Sequence, residues 1–448
     1  MRDHLRNVKR TVSKHVVSMP SDTVVTAAQD DSALASVPSP SGKRLGVLRE
    51  ISEGASKKRF VEVWFGDRLE ATKEVTKTHE GFHVNRTPVL SWSDFFCSNH
   101  VYFFFAALFF SLSFSKSETS LVYTAEAKVA ESSETSPVTA SKFRFVPDFG
   151  ERNIGKKRPT LYLFCWNAHR YENEPDHPAP KAETDEKMTQ SSPTVVALKP
   201  SLPENSSFVF GQASFAPDQK TIFATGYEET FDGRRLGAVG CWNHPSAIFK
   251  LELPKELPAD SEEITIDAHR LTPPELSARS PRVTDTASGE SYSTVWLANP
   301  IGGPHSSCTS LHYLRSDENQ SKILVDYVFD PIGQSGGFPG LYVEQLPSRP
   351  FLSLNPGIKR ASHLVTHSFW GSRQTVLAIS LLSCNNVQDL TPDPNHTWTV
   401  TGTDGKEGLL AVRSAINKPN ELVEARFQTL KPVQDWKIID KPKVAAWG

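Results

Sequence analysis

The sequence predicts an all-β chain. Three observations carry this. Thirty-two prolines and twenty-five glycines stand against only three methionines, and short runs of Val, Leu, Phe and Thr lie between them, which suits strands and turns better than long helices. No stretch carries a sustained helical period. A third pattern recurs along the chain: a serine or aspartate, a small polar turn, then a short β-rich run. It appears in "SPSGKRLGVL" from Ser39, "SFSKSETSLVY" from Ser113, "SFAPDQKTIFA" from Ser214, "SFWGSRQTVLA" from Ser368 and, in shorter form, "DGKEGLLAV" from Asp404. Turn-and-strand units at irregular multiples of roughly 40 residues are the mark of propeller blades with loops of varying length. Such blades bury their faces only against one another, so the repeat predicts a closed ring.

Composition narrows the function. The 49 basic and 51 acidic residues nearly cancel, so no long-range field favours nucleic acid or an anionic membrane surface. The five cysteines, Cys97, Cys165, Cys241, Cys308 and Cys384, are odd in number and widely spaced. They form neither a zinc framework nor a disulfide scaffold. The basic N-terminus, "MRDHLRNVKRTVSKHVVSMP", lacks the apolar run of a secretory signal, and a cytoplasmic protein is expected.

Taken in order, residues 1–35 read as an N-terminal arm and residues 36–448 as the propeller. Two insertions, 131–142 and 171–193, are charged and Pro-rich, with too little apolar surface to offset the entropy of ordering. They are expected to be disordered loops. A third segment, 271–283, "LTPPELSARSPRV", reads as a turn-rich connection. The phenylalanine-rich "SNHVYFFFAALFFSLSF" (98–114) is too short to span a bilayer, which needs about 20 residues. Its alternatives are a buried strand pair or a membrane anchor, but residues 98–110 are expected to be foreign to the fold.

Several motifs resemble catalytic ones. Gly333-Gln334-Ser335-Gly336-Gly337 matches G-x-S-x-G, and Gly302 to Ser307, "GGPHSS", resembles an oxyanion-hole loop. A nucleophile elbow needs a helix directly after the serine. Pro339 and Gly340 deny it one, so Ser335 is expected in a Gly-rich loop. His363 and His367 in "HLVTH" lie in strand-like surroundings with no third ligand, and Cys241 and His244 in "CWNH" meet the same objection. No phosphate-binding glycine loop appears. No catalytic, cofactor-binding or metal-ligating residue is therefore assigned, and no cofactor is expected.

Taken together, the blade segments resemble the N-terminal β-propeller of acylaminoacyl-peptidases, members of the prolyl oligopeptidase family of serine hydrolases. The likeness rests on "VEVWFGDRL" (61–69), "KTHEGF" (77–82), "SETSLVYTAEAK" (117–128), "FVPDFGE" (145–151), "FGQASFAPDQKTIFATGYE" (210–228), "SPRVT" (280–284) and "VRSAINKPNEL" (412–422). It runs from about residue 36 to the C-terminus. The resemblance implies a propeller of about seven four-stranded blades that gates substrate, as a lid over a C-terminal α/β-hydrolase domain. That domain would bring the Ser, Asp and His triad and act on short N-acylated peptides. The chain reaches Gly448 where the hydrolase is expected to begin, so it is expected to be inactive alone. The resemblance also leaves Cys97 to about Phe109 without a counterpart. The alternative is a stand-alone propeller that binds a protein or peptide partner. Neither nucleic acid nor membrane is expected as a partner, and an oligomer is left open.

Overall fold

The computed structural model describes residues 32–54, 56–84, 108–128, 149, 155–167, 192–230, 241–258, 261–285, 291–331, 337–354, 361–432 and 435–441, together with the strands before residue 31. The chain is all-β. Its described residues build six four-stranded antiparallel blades in chain order. Blade 1 comprises Ala33–Pro38, Arg44–Glu53, Ser56–Phe65 and Arg68–Glu74. Blade 2 follows with Leu112–Phe114, Ser120–Glu126, Pro159–Cys165 and Thr194–Ser201. Blade 3 has Phe208–Phe215, Thr221–Glu228, Ser246–Glu252 and Glu263–Arg270. In blade 4 the strands are Leu276–Asp285, Tyr292–Pro300, Ser310–Arg315 and Lys322–Val325. Blade 5 uses Phe351–Leu352, His363–Trp370, Arg373–Ser380 and Val387–Asp389. Blade 6 ends the series with Thr397–Thr403, Gly408–Ala415, Lys418–Arg426 and Lys437–Asp440. Before blade 1, two hairpins pair Arg2–Asp3 with Val8–Lys9 and Val12–Ser18 with Thr23–Asp30.

The core sits between blades rather than at one centre, because each sheet has two apolar faces and only a neighbouring sheet can cover them. Leu48, Val61 and Val63 of blade 1 pack on Leu121, Tyr123 and Phe164 of blade 2. Leu163 and Val196 of blade 2 meet Phe210, Ile222 and Phe249 of blade 3. The same arrangement continues through Leu311 and Leu377 to Val376 and Val423. Blades 2 and 3 are joined further: their fourth strands pair in parallel, from Ala197↔Glu263 to Ser201↔Asp267, making one eight-stranded sheet. Two outer edges that would otherwise expose unpaired amides are thereby removed.

The turn repeat seen in the sequence is a real structural unit. In blades 1, 2 and 3 the turn between first and second strands closes the same way. Ser39 N donates to Arg44 O, Ser115 N to Ser120 O and Ala216 N to Thr221 O, at 2.9, 2.9 and 2.8 Å. Its fourth residue is left-handed: Gly42 (φ 77°), Glu118 (58°) and Gln219 (65°), with Gly405 (77°) in the blade 6 turn. The Ser368 segment differs, since it marks the turn between the second and third strands of blade 5. That displacement explains part of the irregular spacing.

One expectation needs correction. Residues 276–285 are not a turn-rich connection but the first strand of blade 4, and Ser280-Pro281 form a bulge within it, with Ser280 at φ 60°. A bulge lets proline and a left-handed residue sit in a strand without ending it. The expected disordered loop 131–142 lies outside the described residues, as do 171–191 of the expected loop 171–193 and 98–107 of the phenylalanine-rich segment. Leu108, Phe109 and Phe110 are described, and Phe109 is buried against Phe149 and Val209. Among the described residues no strand pairing joins blade 6 to blade 1. Arg349, just before blade 5, does reach blade 1: its Nη2 donates to Pro38 O at 2.9 Å and Ser39 O at 2.8 Å.

Candidate binding site at the mouth of blades 2 to 4

First strands of successive blades are stitched by side chains that accept from the neighbour's backbone. Ser111 Oγ accepts from Ala213 N (2.8 Å) and Ser113 Oγ from Phe215 N (3.2 Å), linking blade 2 to blade 3. Gln212, left-handed at φ 53° in the bulge of blade 3, accepts at Oε1 from Ser280 N (2.7 Å) and Thr225 Oγ1 (2.8 Å). Ser280 Oγ then accepts from Leu346 N at 2.9 Å. His367 Nδ1 accepts from Val400 N at 3.2 Å, tying blade 5 to blade 6. Each stitch satisfies a buried amide that no ladder reaches.

The bulge of blade 4 lies between two buried arginines. Arg279 and Arg282 are buried side chains that both grip the segment 343–347 between blades 4 and 5. Arg279 donates from Nε to Glu344 O (2.8 Å), from Nη2 to Val343 O (2.8 Å) and from Nη1 to Asn299 Oδ1 (2.6 Å). Arg282 donates to the carbonyls of Pro347 (2.7 Å), Pro281 (2.8 Å) and Leu346 (2.5 Å). Burial pushes both guanidinium pKa values down to about 10, with the Tyr227 and Glu344 charges opposing that fall at Arg279, and both stay charged at neutral pH.

Arg279 also lines a pocket where the first strands of blades 3 and 4 begin. Its walls are Leu108, Phe109, Phe149, Val209, Tyr227 and Trp242, with Glu229, Cys241 and His244 also facing it. The pocket opens to solvent, with an empty volume of about 510 Å³. Trp242 lies 4.7 Å from the Arg279 guanidinium, face on, a cation–π contact. Phe109 forms the floor. Its backbone crosses Gly211 so closely that a Cβ there would come 2.5 Å from Phe109 Cα, so only glycine fits. The Tyr227 hydroxyl donates to Leu108 O at 3.0 Å, and burial raises its pKa well above the ordinary value. Glu229 is already engaged, accepting from Ser207 Oγ at 2.7 Å and pairing with Arg158 at 3.0 Å.

Of the motifs weighed in the sequence, Ser335 lies outside the described residues. His363 and His367 occupy one strand, and burial lowers the His367 pKa to about 4, consistent with its acceptor role in the stitch. Cys241 and His244 share the pocket rim, and His244 stands 6.3 Å from His305, centroid to centroid. No group of three or more His, Cys, Asp or Glu side chains suited to a metal occurs among the described residues. Sequence reasoning missed Arg279 and Trp242. The available signal was the pair of arginines flanking Ser280-Pro281, two basic residues inside an otherwise strand-like run.

Among the described residues, six four-stranded blades in chain order, packed face to face and joined by polar stitches, make a β-propeller. The chain belongs to a particular family of them: residues 191–445 match the family described as "Acylamino-acid-releasing enzyme, N-terminal domain". It is similar to the acylamino-acid-releasing enzyme of Arabidopsis thaliana, 26% identical over 442 residues, covering 92% of this chain and 50% of that protein. The mouse (Mus musculus) enzyme of the same name is 26% identical over 455 residues, covering 94% and 52%. The chain thus spans about half the length of the relatives it matches. Among solved structures, prolyl oligopeptidase B from Galerina marginata is similar with a TM-score of 0.50 and 10% identity, over 93% of this chain and 43% of that one. The propeller domain of the trilobed protease from Pyrococcus furiosus covers 96% of this chain and 90% of its own, with a TM-score of 0.45 and 9% identity. At these identities the likeness concerns the fold alone.

Proposed function

We propose that this chain is the non-catalytic, substrate-gating propeller of an acylamino-acid-releasing enzyme, working with an α/β-hydrolase domain on short N-acylated peptides in the cytoplasm. One observation carries the reading: more than nine-tenths of the chain aligns with only about half of each relative, and its described residues are all-β. The unmatched half of the relatives is read here as the hydrolase domain that would carry the nucleophile. A propeller fits gating because its blades, held by side-chain stitches, enclose an axis that admits a narrow chain and refuses a folded one. The last strand of blade 6 runs antiparallel to its neighbour and ends on the face where the first strands begin. That face also carries the pocket.

The test is a chimera in which this chain replaces the N-terminal half of the Arabidopsis relative. Release of acetylated residues from short peptides, with longer peptides refused, is the expected result. Equal turnover of short and long substrates would remove the gating role. The chain by itself is expected to take no label from a fluorophosphonate probe, and labelling lost in Ser335→Ala would make it a hydrolase in its own right.

A further inference from the structure

Stitches between first strands put those strands at the centre of the ring, so their ends surround the two ends of its axis. At the end away from the pocket, one side chain meets four blades. Arg349 belongs to the segment that enters blade 5. Its carbonyl accepts at 2.9 Å from the amide of Thr403, the last residue of the first strand of blade 6. Its guanidinium reaches further: Nη2 donates to Pro38 O at 2.9 Å and Ser39 O at 2.8 Å, where the first strand of blade 1 ends. The Glu118 charge, in the first turn of blade 2, acts on the same guanidinium. Blades 1 and 5 are not neighbours in the series, and a side chain that meets blades 5, 6, 1 and 2 together lies on the axis.

A second tie repeats the pattern. Lys116, beside Glu118 in the blade 2 turn, reaches past blade 3 to Asp285, the last residue of the first strand of blade 4, at 3.1 Å. Two bars thus cross the same end, one from blade 5 to blade 1 and one from blade 2 to blade 4. They differ in strength. Lys116 and Asp285 are exposed, whereas Arg349 is half-buried and holds backbone carbonyls. Ser39, whose carbonyl it holds, is fully buried. At the other end, the pocket mouth opens to solvent. We propose that Arg349, with Lys116–Asp285 as a weaker second bar, closes the axis at the end opposite the pocket, and that a chain passes this end only when Arg349 leaves Pro38 and Ser39. The proposal rests on the gating role put forward above and assigns its closing point to one residue.

The experiment places a thiol under the bar. Ser39→Cys in the whole chain exchanges one atom, and labelling of position 39 by methyl methanethiosulfonate is read by peptide mass spectrometry. Two native cysteines calibrate it, the exposed Cys384 and the buried Cys308 of blade 4. Position 39 is expected to label far more slowly than Cys384. Adding Arg349→Ala is expected to speed it by about tenfold or more with Cys308 unchanged, because two charge-assisted hydrogen bonds no longer hold the bar shut. Losing a nearby cation raises a thiol pKa and slows its reaction, so faster labelling reports access rather than charge. Arg349→Lys keeps the charge without the fork; it is expected to fall between, and it serves should the alanine variant not fold. Labelling at the Cys384 rate with Arg349 in place, no change in either variant, or equal acceleration at Cys308 overturns the proposal. In the chimera, Arg349→Ala is expected to raise turnover of long peptides relative to short ones, and an unchanged ratio overturns the bar's part in gating. A chimera inactive toward short peptides counts against the proposed function alone, and the thiol labelling still decides whether this end is barred.

Discussion

Two clusters of buried charge, one at each end of the blades, solve the same problem differently. Beside the turns between first and second strands, Arg44 of blade 1 is flanked by carboxylates: Nε and Nη2 donate to Glu70 at 2.7 and 3.1 Å, and Nη1 donates to Glu118 of blade 2 at 3.0 Å. Glu118 also accepts from Ser41 N at 2.6 Å and Ser41 Oγ at 3.1 Å. At the opposite end, Arg279 and Arg282 have only neutral acceptors. The hydrogen bond to Glu70 raises the Arg44 pKa, whereas burial lowers those of Arg279 and Arg282. Burial would raise the Glu118 carboxyl, but hydrogen bonds from Ser41 and Arg44 outweigh it and hold the group below its usual range. The difference teaches that the Arg44 cluster is a closed latch between blades 1 and 2, complete within the chain. The arginine pair hydrogen-bonds only neutral oxygens, with the Glu344 charge also acting on Arg279, and only Arg279 faces a pocket.

The sharpest way to break this comparison is to remove the central cation of the latch. Arg44→Met takes from the buried Glu70 and Glu118 the cation they share, and a broken buried ion pair costs about 3–5 kcal/mol. Urea unfolding followed by fluorescence is expected to show a loss of that size. A loss below about 1 kcal/mol would mean the cluster behaves as a solvated surface pair.

Acid is the next largest perturbation. Burial lowers the pKa values of His79, His312 and His367 to about 4, from 6.5. Between pH 6.5 and about 4 the unfolded histidines therefore take up protons that the folded ones refuse, and stability falls as pH falls. Each contributes on the order of 3 kcal/mol across that window and nothing further above pH 6.5. Glu118, held low by its donors, adds to the loss at still lower pH. The arginine clamp does not titrate in this range. Hydrogen exchange is expected to show the amides of Ser41 and Val400 losing protection in acid before that of Leu346. His367→Gln, which keeps an acceptor for Val400 N without a titrating ring, is expected to flatten the pH dependence.

Arg282→Met sharpens the contrast from the other side. It removes a cation and leaves carbonyls of residues 281, 346 and 347 without that donor, a deficit of neutral groups costing about 1–3 kcal/mol. The expected order, Arg44→Met more damaging than Arg282→Met, follows from what each leaves behind, a buried charge in one case and a buried dipole in the other. The reverse order in the same urea titration would show that the clamp on residues 343–347, rather than the latch, holds the blades in place.

How much of this was legible in the sequence depended on range. The turn repeat is local: Ser39, Ser115 and Ala216 bond to residues five further on, and the turn residues advertise it. Even so, Glu118 and Gln219 hide a left-handed position behind side chains that do not announce one. The candidate pocket is built from separations that a linear reading cannot see. Gly211 is fixed by Phe109, Ser280 by Gln212, and Arg279 by carbonyls more than 60 residues later. Proline and serine in "SARSPRV" suggested a connection because their local preference favours one. The ladder to Tyr292–Pro300 overrode it by admitting a bulge. The phenylalanine-rich segment reads as surplus for the same reason, since the partners of Phe109, namely Phe149, Tyr227 and His83, lie far from it in the chain.

The smallest expected effect completes the series. Lys116, in the same turn as Glu118, pairs with Asp285 at the end of the first strand of blade 4, at 3.1 Å. It carries the same charges as the latch, but both side chains are over 40% exposed. Water already solvates both partners, so Lys116→Ala strands no buried charge and is expected to cost less than about 1 kcal/mol, with the remainder screened by added salt. Placed beside Arg44→Met, the variant sets an exposed tie between blades against a buried one. A difference of several-fold between them assigns the strength of the latch to its enclosure. Equal losses would instead assign it to the tie each pair makes between blades.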